Sequence, residues 1–173
     1  VGEDAIDKHL GDPWQIAIFL ALFGVLLWIA DRTAERYRLN ELRFGQATLV
    51  GLSQILALMP GVSRSGVTIT AGRFTGLNRD AAARFSFLLL IPIVFGAVLY
   101  KGVKHVLLEP LPPGSTGPFL VGTIASAAVG LIAIDLLLGY VRRHDYTPFV
   151  VYRLLAAIFI VVVILSGWRG STF

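Results

Sequence analysis

Pro60-Gly61-Val62-Ser63-Arg64-Ser65-Gly66-Val67-Thr68 is the stretch on which the fold turns. It sets an arginine, the hydroxyls of Ser63, Ser65 and Thr68, and two glycines between two apolar segments, residues 45–59 and 66–77. At 1.5 Å per residue these segments reach only roughly 22 and 18 Å, whereas a bilayer's hydrocarbon core is about 30 Å thick. Neither crosses alone, so the pair is expected to enter and turn back as a re-entrant helical hairpin over residues 45–77. Non-helical backbone at membrane depth persists only where protein buries it or water reaches it, so the loop is expected to line a cavity. An arginine there costs roughly 2.5 to 3.5 kcal/mol on insertion scales, which makes it a functional candidate. The natural partner of its planar fork of donors is an anion such as phosphate.

Outward from the loop, the chain of 173 residues is 55% hydrophobic and only 15% charged. Four long apolar runs, residues 14–30, 81–100, 119–140 and 148–167, are expected to span, flanked by Trp14, Trp28, Tyr100, Tyr140, Tyr146 and Trp168 as interfacial anchors. The expected fold is an all-α polytopic membrane protein, with four transmembrane helices plus the re-entrant hairpin, in a single membrane domain over residues 1–173. The net charge of +4 does not point to nucleic acid, because the basic residues cluster at the ends of apolar runs and set topology. With a re-entrant hairpin, Arg32, Arg36, Arg38, Arg43, Arg73, Arg79, Arg84, Arg142 and Arg143 share one side, against Lys8, Lys101, Lys104 and Arg169 on the other. A complete crossing by residues 45–59 would split the basic residues almost evenly, so charge bias favours the hairpin.

Cysteine is absent, which excludes disulfides and thiolate metal sites. Residue 1 is valine and the only methionine is Met59, and residues 1–13 lack a signal-peptide pattern; the sequence is therefore read as a piece of a longer protein. Residues 101–118, with Pro110, Pro112, Pro113, Gly114 and Gly117, are expected to form an exposed linker.

The loop chemistry suits phosphate. Pro60-Gly61 stops the first half-helix, and Ser65 is expected to cap the second. A helix N-terminus carries roughly half a positive charge and binds anions, to which Arg64 adds its guanidinium. Ser63, Ser65 and Thr68 supply further donors, and Gly61 and Gly66 allow close approach of the backbone. Blander readings stand beside these: Ser65 as a cap alone, Thr68 bonded only to its own helix turn, Arg64 as a structural charge on a carbonyl or carboxylate.

These residues resemble the second signature of the bacterial undecaprenyl-diphosphate phosphatases, also called bacitracin-resistance proteins. The run Arg79-Asp80-Ala81-Ala82-Ala83-Arg84-Phe85-Ser86-Phe87-Leu88-Leu89-Leu90-Ile91-Pro92 and the Tyr152-Arg153 pair are also similar to that family, so the likeness covers nearly the whole chain. The resemblance implies hydrolysis of undecaprenyl diphosphate to the monophosphate in the bacterial cell (inner) membrane. It implies a divalent cation, magnesium or calcium, and recycling of the lipid carrier for peptidoglycan synthesis. Carried over from the signature, Arg64 is the main diphosphate clamp and Ser63 and Thr68 are supporting donors, with Gly61, Ser65 and Gly66 completing the substrate-binding loop. The family is an inverted repeat, and this chain resembles its second half; Gln54 stands where the first repeat would carry a glutamate. The family's glutamate-rich segment has no equivalent here, so metal ligands are expected outside this sequence, the isolated chain is expected to be inactive, and a homodimer is one expected assembly.

The acid inventory agrees. Asp31, Glu35, Glu41, Asp80, Glu109 and Asp145 fall at loops or helix ends, and Asp135 alone lies inside a span, where pairing with Arg142 or Arg143 near the interface is the reading. His9, His105 and His144 make no metal spacing and read as solvated. Asn78 reads as a helix cap and Asp80 as a first-turn charge. Broken helices and inverted repeats also build transporters, so a transporter or flippase of an anionic lipid or small anion is the alternative function. A structural or partner-binding subunit is the third.

Overall fold

The computed structural model describes residues 12–107 and 116–167, with side chains for 12–102 and 117–167. Within these, six α-helices follow in order: α1 (Pro13–Asp31), α2 (Phe44–Ser53), α3 (Arg64–Phe74), α4 (Arg79–Leu107), α5 (Thr116–Val141) and α6 (Thr147–Leu165). Short 3-10 turns lie at Leu39–Glu41 and Gln54–Leu58, and no strand forms among the described residues. Four helices are long and apolar enough to cross a membrane: Pro13–Asp31, Arg79–Gly102, Gly117–Val141 and Thr147–Leu165. They match the four predicted runs to within a few residues.

One expectation needs correcting. Residues 101–107 continue α4 and residues 116–118 already belong to α5, so the linker is shorter than 101–118. Uncharged Gly102 and Val103 follow Lys101, and nothing before Pro110 forbids helix, so the turn chemistry began later than the first basic residue suggested. Pro110, Pro112, Pro113, Gly114, Trp168, Arg169, Lys8 and His9 lie outside the described residues, as do the side chains of Lys104 and His105.

The two short helical pieces are where the loop reading put them. α2 tightens into the turn Gln54–Leu58, and the chain then reverses at Gly61, whose φ of +86° favours glycine. A Cβ at this position would also lie 2.7 Å from the Ile16 carbonyl oxygen, so backbone meets backbone here. α3 then runs through the centre of the molecule against α1, α2 and α4. Gly66, Val67, Thr68, Ile69, Thr70, Gly72 and Arg73 are all buried in it. Small residues make that burial possible: Gly72 faces Ala82, where an added Cβ would sit 3.2 Å from the alanine's own.

α1 lies along α6, and Leu27, Ile69, Leu77, Ala81, Val141 and Val150 form the main apolar cluster between α1, α3, α4 and α6. Phe23, Val62 and Val67 form a second, beside the reversal. The outer half of α4 and most of α5 are exposed and apolar, as at Ile91, Phe95, Val121 and Leu131, which is the composition of a lipid-facing surface.

The far end of α3 is pinned by charge. Arg73, 1% exposed, donates to the carbonyls of Leu77 (2.6 Å), Asp31 (3.0 Å) and Thr33 (2.8 Å) and pairs with Glu35 (3.3 Å). Asp31 in turn accepts from Arg79 Nε (2.7 Å) and from the backbone N–H of Tyr146 (3.1 Å). Ends of α1, α3, α4 and α6 therefore meet at one carboxylate. The Tyr146 hydroxyl donates to the Arg79 carbonyl at 2.9 Å; burial, reinforced by Asp31, pushes its pKa up and keeps the proton in place. Asn78 caps α4 as predicted, its side chain accepting from Ala81 N–H at 2.8 Å. Asp135 is exposed, and Arg142, expected to answer it, donates to Asp80 at 3.0 Å instead, because the turn after α5 carries that guanidinium to the start of α4.

Candidate functional site

At the near end of α3 a cavity of about 440 Å³ opens. One wall is polar: Gly61, Ser63, Ser65, Gly66 and Arg153. The opposite wall is apolar, with Leu20 and Leu27 from α1, Leu137 from α5, and Phe149 and Tyr152 from α6. That is the division an amphiphile with a small charged head and a greasy body would match.

The polar wall follows from how α3 starts. Ser63, in extended conformation, is the N-cap, and its Oγ accepts from Gly66 N–H at 3.1 Å. Sequence reasoning gave that cap to Ser65, which instead sits in the first turn with its Oγ 3.2 Å from Ser63 Oγ. Both serines can begin such a helix, and the choice falls on Ser63 because only its side chain stands three residues before a free amide in the observed register. The remaining first-turn amides, those of Arg64 and Ser65, have no carbonyl within the helix to answer them.

Arg153 completes the wall. It is 6% exposed, yet its only described hydrogen bond runs from Nη2 to the Gly61 carbonyl at 3.2 Å, and among the described residues no carboxylate pairs with it. Its guanidinium lies so close over the first turn of α3 that a Cβ on Gly66 would collide with Nη1. Glycine at 66 is what lets the cation approach the helix end. A buried charge without a counter-charge costs several kcal/mol, and here it adds to the positive end of a helix rather than cancelling it.

The other predicted residues divide. Gly61, Ser63, Ser65 and Gly66 come together on the cavity. Arg64 is exposed and does not line it, so the guanidinium expected as the main clamp is not seated there. Thr68 is 1% exposed and faces away, with Oγ1 donating to its own helix at Arg64 O (2.9 Å) and Ser65 O (3.2 Å) and lying 2.7 Å from Ser86 Oγ. Thr68 does bond its own helix turn, but not only that turn, since its hydroxyl also meets Ser86 of α4.

The family model for bacitracin resistance protein BacA matches residues 1–159. The chain belongs to that family. Among similar curated BacA relatives, proteins named undecaprenyl-diphosphatase, the one from Trichlorobacter lovleyi is 50% identical over 84% of this chain and 54% of its own length. That from Pelobacter propionicus is 46% identical over 91% and 58%, and that from Desulforudis audaxviator 43% over 94% and 61%. The chain thus spans little more than half the length of the relatives it matches. With four apolar helices and BacA membership together, it is a multi-pass membrane protein.

The cavity lining holds no carboxylate or imidazole, and among the described residues no three such groups gather. Hard cations take oxygen donors, chiefly carboxylates, and the described lining supplies none of the latter.

Arg153 was legible in principle. It is an arginine inside an apolar run, the same signal that singled out Arg64, but it lacks the glycines and hydroxyls that drew attention to the loop.

Proposed function

We propose that this cavity holds the diphosphate of a polyprenyl lipid, and that the protein is an undecaprenyl-diphosphatase. It would hydrolyse undecaprenyl diphosphate to undecaprenyl phosphate and inorganic phosphate, recycling the carrier for peptidoglycan synthesis and conferring bacitracin resistance. One observation carries the reading: Arg153, buried and without a carboxylate among the described residues, lies against the N-terminus of α3 beside Ser63 and Ser65, on the polar wall of an otherwise apolar cavity. The names of the relatives point the same way.

In this reading α2, its 3-10 turn and α3 form a re-entrant hairpin in the bacterial cell (inner) membrane, one repeat of an inverted pair, and two copies assemble as a homodimer. The polyprenyl chain remains in lipid, which holds it at roughly 0.8 kcal/mol per buried CH2, so recognition falls on the head group. Arg153, the first-turn amides and the serine hydroxyls neutralise and orient the phosphoryl oxygens. Arg64, exposed at the first residue of the same helix, closes on the second phosphate. A divalent cation, magnesium or calcium, belongs to the reading only with ligands from outside the described residues.

The test is reconstitution in vesicles of the protein, expressed with its native flanking sequence, with labelled undecaprenyl diphosphate. Phosphate release, reduced by orders of magnitude in Arg64→Ala, is the expected result. Leaflet exchange without cleavage would instead make it a transporter or flippase.

A further inference from the structure

We propose that Ser86 is a positioning residue for the phosphate-binding turn and that it acts through Thr68; this rests on the reading of the cavity as a diphosphate site. Thr68 sits one turn behind that site, and its hydroxyl is shut away from the cavity, whose lining passes through Ser65, Gly66 and Ile69. Any influence of Thr68 on a bound phosphate must therefore pass through the backbone.

Thr68 Oγ1 donates to the carbonyls of Arg64 and Ser65, the residues that open α3. A hydroxyl has one proton, so with Thr68 donating to its own helix, the 2.7 Å contact is filled by Ser86 donating to Thr68. Ser86, 6% exposed in α4, thus sets the rotamer of Thr68, and Thr68 sets the tilt of the first-turn peptide units. These two peptide units carry the Ser65 amide, which has no helical acceptor, and the Gly66 amide, which Ser63 Oγ caps, so the direction of both is coupled to α4 by a chain of two hydroxyls. The helices lie close enough for this because Gly72, Ala82 and Ala83 are small.

Two further facts favour a positioning role over incidental packing. A buried hydroxyl costs free energy unless it is bonded, and serine and threonine gain nothing inside a helix that alanine and valine would not supply. Bonding of a threonine hydroxyl to carbonyls three and four residues back also perturbs the helix locally, here in the turn that must present its N–H groups to a ligand.

The experiment uses the protein with its native flanking sequence, in detergent with a polyprenyl diphosphate. It measures KM, kcat and thermal midpoint for Ser86→Ala, Ser86→Cys, Thr68→Val, Thr68→Ser and the double variant Thr68→Val/Ser86→Ala. Loss of one buried hydrogen bond corresponds to roughly a three- to tenfold fall in kcat/KM. Ser86→Ala and Thr68→Val should each show it, Ser86→Cys less, and the double variant should be no worse than the poorer single one, because both act through the same bond. Thr68→Ser should restore the wild-type constants. If Ser86→Ala lowers only the thermal midpoint, leaving KM and kcat of the folded protein unchanged, the proposal is wrong. A loss in Thr68→Val that is unmatched in Ser86→Ala would place Thr68 on the phosphate itself and overturn it equally. Absence of turnover in the wild-type protein is a separate outcome: it removes the diphosphatase reading, and this inference with it.

Discussion

The two ends of α3 each hold a buried arginine, and they are treated oppositely. At the far end Arg73 is met by three carbonyls, by Glu35 and, at 3.7 Å, by Asp31. At the near end Arg153 has one carbonyl and no carboxylate among the described residues. Burial is similar, 1% against 6% exposed, so the difference lies in compensation. A charge that only holds helices together is cheapest when its counter-charge is built in. Under the proposed function Arg153 is left uncompensated for the diphosphate, and the fold bears that cost until the ligand arrives.

The comparison is most exposed to failure at Arg73. Replacing it with methionine takes a guanidinium partner from Asp31 and Glu35 and leaves three carbonyls unmet, so a loss of about 3 to 5 kcal/mol in stability is expected. Thermal denaturation in detergent reads it, and a midpoint near that of wild type would mean that the hub is not what holds α3. Arg153→Met should do the reverse. Removing an unpaired buried cation is neutral or stabilising, whereas phosphate release should fall by about 100- to 1,000-fold, the scale seen when one preorganised donor to a transition-state oxyanion is deleted. If Arg153→Met proves as unstable as Arg73→Met, the two arginines are structural alike and the site loses its main cation.

Gly66→Ala tests the same end without touching charge. The added Cβ collides with Nη1, the far end of a flexible side chain, so the guanidinium is displaced while the fold survives. Overpacking of this kind costs about 1 to 3 kcal/mol, and if most of it falls on the site, pyrophosphate should bind roughly tenfold or more weakly. Unchanged binding by calorimetry would show that Arg153 need not lie over the helix end.

These contrasts also mark what the sequence could carry. Spans, the reversal and the hydroxyl- and glycine-rich loop were legible because each is local: apolar runs of the right length, Pro60-Gly61 at the turn, hydroxyls and glycines beside Arg64. Which way a side chain faces was not. Thr68 and Ser65 lie three residues apart on the same helix, yet one is buried against α4 and the other lines the cavity, and only the packing of α3 decides that rotation. The Asp31 hub joins residues 42, 48 and 115 apart, a meeting that no local pattern announces. Arg153 fell between these cases, visible as a charge in a span but placed at the site only by the closeness of α6 to the reversal at Gly61.

The smallest effect is expected where the charges are paired but wet. Asp80 bridges Arg84 at 2.9 Å and Arg142 at 3.0 Å, and at first sight this resembles the hub at Asp31. The side chains are 33%, 37% and 54% exposed, however, whereas Asp31 is 8% exposed, so water already solvates both partners and can replace the carboxylate when it goes. Asp80→Asn should therefore cost less than about 1 kcal/mol, and the cost should shrink further at high salt, where exposed pairs are screened. Asp31→Asn, which leaves Arg79 and Arg73 without their buried anion, should cost several times more and respond little to salt. Thermal midpoints of the two variants at low and high ionic strength separate the cases. Equal losses would show that number of partners, and not burial, decides how much a carboxylate holds together in this protein.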